Sequence, residues 1–203
     1  MKPIRILHVI QTIHPVESAS SRLAVLMAAS QAADGHHVRL LTGDSAATMI
    51  LAEKAFESYD GFRRILITHA HDRAKVGYLL GSHAAEHLPG LIAQSDILHV
   101  HGVWEALLHR AAMTASRKGV PIVVSTHGLK NALFAGPLRP LKGLLLAAGW
   151  KKLLQHASLV HALDAEEEEE IGRLGIQDRV RIVPDSLDIG TDLLEVYPVK
   201  PAA

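Results

Sequence analysis

No cysteine occurs in the 203 residues, which excludes a disulfide scaffold, a Cys-ligated metal and a thiol nucleophile. Nor is there an excess of charge of either sign. Lys and Arg number 21 against 21 Asp and Glu, so no general attraction to nucleic acid or other polyanions is expected. Long apolar runs are missing as well, none approaching the roughly 20 residues that span a bilayer. No small-residue cleavage site follows the opening run Ile4 to Ile10, so no secretory leader is read there. Internal repeats and low-complexity linkers are not found. The length fits one large domain or two small ones with a substantial core, and the expectation is a cytoplasmic α/β protein.

What is present is alternation. Short β-branched runs at Ile4–Ile10, His37–Thr42, Arg64–Thr68, Ile97–Val100, Pro121–Ser125, Leu159–Ala162 and Val180–Val183 read as strands. Helical patterns lie between them, near 20–34, 46–58, 73–93, 104–118, 139–156 and 165–173. Strand and helix in alternation imply βαβ units, a mostly parallel sheet and helices on both faces. Local punctuation agrees. Ser18 or Ser20 can cap the first helix, Gly35 and Gly119 can end helices with positive φ, and Asp164 stands before the acidic run Glu166–Glu170. That run is read as a solvated helix face. The domain is expected over 1–190, with 191–203 as a tail or truncated linker.

Two of these strands end alike. Asp96-Ile97-Leu98-His99-Val100-His101-Gly102-Val103-Trp104 carries an apolar run into His-Val-His-Gly, and Val120 to Gly128 ends in Ser125-Thr126-His127-Gly128. Ligands of open α/β sheets bind at the carboxyl ends of the strands, so paired His-Gly endings indicate a site. His99 is expected to alternate with His101 onto the opposite face and is read as packing.

The set of motifs resembles the N-terminal half of a GT-B glycosyltransferase of the large retaining group called family 4. It includes Asp34-Gly35-His36-His37-Val38, the two His-Gly strand ends, Ser158-Leu159-Val160-His161-Ala162-Leu163 and Arg173-Leu174-Gly175-Ile176. The resemblance covers nearly the whole chain, and its strength lies in the order and spacing of motifs that are individually weak. It implies a single Rossmann-like domain that holds the acceptor, facing a second domain that holds the nucleotide sugar. It implies no cofactor and no metal, and no Asp-x-Asp pair is placed to hold one. It also places His101 against the transferred sugar as the catalytic candidate; from their places at the strand ends and the start of the first helix, His127, Gly128, Gly102, Ser18 and Arg22 are read as substrate-binding candidates. The residues 13–21 would form the acceptor loop.

Two departures from the family pattern stand out. The Gly-Gly loop that usually follows the first strand is replaced by His14-Pro15-Val16-Glu17-Ser18-Ala19-Ser20-Ser21-Arg22, where Glu17 would repel a diphosphate and side chains fill the space glycine leaves. The hinge pattern reads Pro184-Asp185-Ser186-Leu187-Asp188, with no donor-domain counterpart after it. The expectation is therefore an acceptor-binding half acting on a polysaccharide or lipid-linked acceptor, which needs a donor-binding partner chain for turnover. The competing expectation is a non-catalytic carbohydrate- or protein-binding module.

Lesser features are read conservatively. His69-Ala70-His71-Asp72 lacks further ligands at matching spacing and is not taken as a metal site. Trp104 could stack on a sugar but is read as core. The apolar, basic-edged stretch 139–154 could lie against the inner face of a membrane, yet packing on the sheet is the preferred reading. An exposed apolar face that a second copy would cover is also expected.

Overall fold

The computed structural model describes residues 2–16, 19–70, 82–103, 105–127, 151–186 and 188–198. Seven strands form one sheet: β1 (Arg5–Ile10), β2 (His37–Thr42), β3 (Leu66–His69), β4 (Ile97–His101), β5 (Ile122–Ser125), β6 (Leu159–Ala162) and β7 (Val180–Ile182). Their order is β3-β2-β1-β4-β5-β6-β7, and every pairing is parallel. The fold class expected from the sequence is what is found. The described helices are α1 (Ala19–Ala33), α2 (Ala46–Phe56), α3 (Ser82–Ala93), α4 (Ala106–Lys118), α5 (Lys151–His156), α6 (Ala165–Gly172) and α7 (Ile189–Val196).

The central strands are apolar on both sides because helices cover both faces, as parallel sheets require. Period-two alternation divides each strand between two cores. Leu7, Val9, Leu98, Val100, Val124 and Val160 pack with α4 and its neighbours. Ile6, Ile10, Ile97, Val123 and Leu159 pack on the other face with α1, α2 and α7. Alanines and Val25 and Met27 make α1 fully buried along much of its length.

Several boundaries differ from the sequence reading. β3 begins at Leu66 because Gly61, at φ 79°, starts a 3-10 turn over Phe62–Arg64. Ser20 does not cap α1, which already begins at Ala19. Gly119 (φ 65°) ends α4, and the Asp164 side chain accepts from the Glu167 N–H at the start of α6.

The larger difference is at the end of the chain. Residues 191–196, expected as tail or linker, belong to α7, which docks on α1 through Ile189, Leu193 and Leu194. The hinge-like Pro-Asp-Ser before them conceals this helix. The apolar spacing Ile189, Leu193, Leu194 and the buried Tyr197 nevertheless carry its signature.

Candidate functional site

The chain leaves β1 in one direction to build β2 and β3, and builds β4 to β7 on the other side. The reversal falls between β1 and β4, the position where open α/β sheets form a ligand crevice at their carboxyl ends. Strand parity then gathers the histidines. His8 shares a face with Ile6 and Ile10, His99 and His101 with Ile97, Ser125 with Val123, and His161 with Leu159. Register aligns them in two rows: His8 opposite His99, then His101, Ser125 and His161 side by side.

His99 therefore does not face away from His101. Residues two apart on a strand share a face, and the two rings stack with centroids 4.2 Å apart. The expectation of opposite faces is wrong, and His99 belongs to the network.

His8, His99, His101, Ser125 and His161 are at most 2% exposed, so their polar atoms need partners within the fold. They have them. Gln31 of α1 bonds His8 Nε2 (2.9 Å), His8 Nδ1 meets His101 Nε2 (2.8 Å), and His101 Nδ1 meets His127 Nε2 (3.0 Å). A second branch runs from Gln31 to the Tyr197 hydroxyl (2.9 Å) and on to His99 Nδ1 (2.7 Å). It continues from His99 Nε2 to Ser125 Oγ, to His161 Nδ1 and to the Val183 carbonyl, each step 2.7 Å.

Two backbone carbonyls assign every proton. Gln31 Nε2 donates to Gly190 O (3.1 Å), so its Oε1 is the acceptor for His8 Nε2–H. His8 Nδ1 must then accept from His101 Nε2–H, and His101 Nδ1 from His127 Nε2–H. In the other branch Val183 O takes His161 Nε2–H, leaving His161 Nδ1 to accept from Ser125. Ser125 in turn accepts from His99, and His99 Nδ1 accepts from Tyr197, whose oxygen accepts from Gln31. The two ends agree, so an arrangement with all five imidazoles neutral gives every one of these hydrogen bonds one donor and one acceptor.

Electrostatics favour the same state. Burial pushes His8 down to about 4 and His127 to about 3. Burial likewise lowers His99 and His101 well below the usual imidazole range, and neighbouring histidines lower each further. His161 is lowered by burial too, against the upward pull of the Val183 carbonyl and Glu167. Burial also raises the Tyr197 phenol.

The candidates from sequence are distributed as follows. His101 and His127 lie together, rings stacked with centroids 5.3 Å apart. His101, however, is 2% exposed and both its nitrogens are engaged. His127 stands nearer the surface, half-buried, in the left-handed region at φ 53°. Gly102, at φ 94°, turns the chain out of β4 and donates its N–H to Ser125 O. Arg22 is exposed on the first turns of α1. Ser18, Gly128 and Trp104 lie outside the described residues, as do Glu17, His71, Asp72 and the membrane-contact candidate up to residue 150.

The ends of the acceptor-loop candidate are anchored. Ile13 is fully buried and its N–H donates to Asp44 (2.6 Å), which also accepts from Thr12 and Thr42 hydroxyls (2.7 Å each). Ser21 donates to Thr12 O.

Sequence reasoning missed Gln31, Asp44 and Tyr197 as site supports, along with the part played by His8 and His161. It also placed Glu167 on a solvated face, whereas Glu167 is buried, accepts from the Thr126 hydroxyl and from Leu163 N–H, and so braces the end of β5. The overlooked signal was a histidine at the same parity on β1, β4 and β6.

Could the cluster hold a metal? His8, His99 and His101 place ligand-type nitrogens close enough together. Every ring nitrogen of the three already has a hydrogen-bond partner, so a metal would have to break the network. A separate open cleft of about 450 Å³, lined by Arg5, Arg39 and Arg64, lies at the amino ends of the strands, away from the histidines.

Comparison with known proteins places this geometry. A solved Listeria monocytogenes protein, a putative UDP-N-acetylglucosamine 2-epimerase, superposes with TM-score 0.60 at 12% identity, covering 89% of this chain and 45% of its own. A glycosyltransferase from Rickettsia africae gives 0.57 at 14% identity, covering 92% and 44%. The Anabaena protein HepE, solved with UDP-glucose, gives 0.52 at 13% identity, covering 90% and 44%. This chain thus spans a little under half the length of each, and the likeness is one of fold. No relative is detected among curated protein sequences. Residues 20–185 match the glycosyl transferase 4-like domain, which is most of the chain, and the protein belongs to that family as an N-terminal, GT-B-type half-domain.

Proposed function

We propose that this domain is the acceptor-binding half of a retaining, nucleotide-sugar-dependent glycosyltransferase. Its acceptor would be a polysaccharide or lipid-linked sugar, and turnover would need a donor-binding domain. The observation that carries the reading is the neutral imidazole network at the sheet's switch point. That network carries no net charge and approaches the surface only through half-buried His127, which suits a sugar better than a diphosphate. Asp44 supports the same division of labour, because a buried carboxylate at the end of β2 disfavours a second anion beside it. His127 would line the cleft with His101 buried behind it, and a general base is not required by this reading.

A second reading, a carbohydrate- or protein-binding module without turnover, draws on the glycine-free loop after β1, where Val16 is 86% exposed. Calorimetry with UDP-, GDP- and ADP-sugars tests the primary reading. The isolated chain is expected to bind none of them appreciably, and sugar transfer should arise once a donor-binding domain is supplied. Tight binding of a nucleotide sugar by the chain alone, weakened by His101→Ala, would overturn the assignment of the donor to another domain. Persistent absence of transfer with glycan binding intact would favour the module.

A further inference from the structure

The sheet carries a concentration of positive charge at the edge opposite the imidazole network. Parallel strands covered on both faces are expected to run apolar, yet β2 has Arg39 as its third residue, half-buried between the buried Val38 and Leu40. Register sets Arg5 beside His37, and Leu7, Arg39 and Leu66 side by side, all on the face where Leu7 joins the core. Arg64 closes the 3-10 turn before β3, and these residues line the open cleft of about 450 Å³ together with His36 and Gln94. No Asp or Glu is among the described residues that line it. Asp96, just outside, neutralises Arg5 by accepting from its Nε (3.1 Å) and Nη2 (2.6 Å). Arg39 and Arg64 have no carboxylate partner among the described residues: Arg39 donates to the Gln94 amide oxygen (3.0 Å) and Arg64 to the Ala33 carbonyl (3.2 Å). Two guanidinium charges are thus left over in one concavity of a chain without net charge. We propose that this cleft binds a phosphate group, held by the Arg39 and Arg64 guanidiniums and by the His36 Nε2–H.

Charge selects the ligand class. A phosphate monoester carries about two negative charges near neutral pH and matches both guanidiniums, whereas a single carboxylate leaves one of them uncompensated. Arg39 and Arg64 each engage only Nη1 within the fold, so each keeps a fork of donors suited to a pair of phosphate oxygens. His36 adds a donor from the cleft wall. It is 8% exposed, and its Nδ1 accepts from the Ile4 N–H (3.2 Å). Its hydrogen is therefore on Nε2, which has no protein partner among the described residues. The carbonyls that end α1 do not oppose an anion as bare acceptors. Gln31 O takes the His36 N–H, Ala32 O takes the Gly35 N–H, and Ala33 O is covered by Arg64. Leu66, 62% exposed on the β3 side, adds an apolar wall that the remainder of a phosphate ester can cover.

The test is calorimetry and nitrogen-15 NMR of the full chain at constant ionic strength, with inorganic phosphate and, separately, acetate as probes. Phosphate should bind saturably and move the Nε resonances of Arg39 and Arg64 and the Nε2 resonance of His36, and acetate should move none of them. Arg39→Gln and Arg64→Gln should each weaken phosphate binding at least about tenfold, through loss of a charge-assisted contact. Arg64 is exposed, so Arg64→Gln reads the site even where removing half-buried Arg39 disturbs folding. Sedimentation with phosphatidylcholine vesicles, with and without phosphatidic acid, separates the two sources of the group. Capture that requires phosphatidic acid and is lowered by Arg64→Gln assigns a lipid headgroup. Saturable phosphate binding without vesicle capture assigns a soluble phosphate ester, and either result supports the site. Binding of either kind that both variants leave undiminished overturns the inference, as does phosphate binding that acetate matches or that moves only His127 and its neighbours. Absence of saturable binding by phosphate and by phosphatidic acid vesicles alike overturns it too.

Discussion

Ser125 shows how much one small side chain can decide. Its hydroxyl accepts from His99 and donates to His161, both at 2.7 Å, in a region without water access. Ser125→Ala would leave two imidazole nitrogens unpaired while changing volume very little. Each buried, unsatisfied polar group costs about 1–3 kcal/mol, so a loss of about 2–6 kcal/mol is expected in the unfolding free energy measured by urea denaturation. A loss below about 0.5 kcal/mol, the usual range for an exposed substitution, would mean the branch is not intact in solution. The strand-end motif containing Ser125 and His127 was legible in the chain. Its partners were not, because Gln31, His161 and Tyr197 reach it only through strand register and helix docking. The misreading of His99 is of another kind: the alternation was visible, but parity was assigned the wrong way.

At the scale of elements, α7 couples the end of the described chain to the site. Its Gly190 packs directly on α1, where a Cβ would collide with the Met27 carbonyl and the Ser30 hydroxyl. The same residue supplies the carbonyl that orients Gln31, and Tyr197 just beyond the helix supplies the hydroxyl for His99. Gly190→Ala should therefore lift α7 from α1 and cost about 1–3 kcal/mol in a thermal or denaturant melt. The imidazole spectra should change at the same time, since Gln31 loses its anchor. Destabilisation with an unaltered His8 and His99 signature would separate the helix from the network and refute this coupling. No periodicity argument reveals such a dependence. The helix could have been read from Ile189, Leu193 and Leu194, but its contact with α1 is a matter of topology.

For the whole molecule, the network makes stability depend on pH in a definite direction. In the unfolded chain a histidine takes up a proton near pH 6.5, whereas burial holds folded His8 near 4. Between those values the unfolded state binds more protons, so stability is fully present above about pH 6.5 and falls as pH drops toward 4. His8 alone accounts for about 3 kcal/mol, and His99, His101 and His161 act in the same direction. Against a total of about 5–15 kcal/mol for a typical domain, that is enough for unfolding well before the carboxylates titrate. Asp96, lowered by its bond to Arg5, loses its contribution only at more acid pH and does not blur the window. Urea midpoints measured from pH 7.5 to 4.5 should decline steeply, and a flat profile would show that the buried histidines are not neutral in the fold.

The sequence by itself determined the α/β class, all seven strands and the family, because hydrophobic period and turn chemistry are local and the motif order is linear. It also marked His101 and His127 as belonging to one strand edge. Tertiary structure decided how the polar atoms at that edge are paired. Only the parallel register sets His8 beside His99 and His101 beside Ser125 and His161, and only the docking of α7 brings Gly190 and Tyr197 to Gln31. A proton's position in such a network is fixed by carbonyls more than 20 residues away in sequence. No local pattern encodes it.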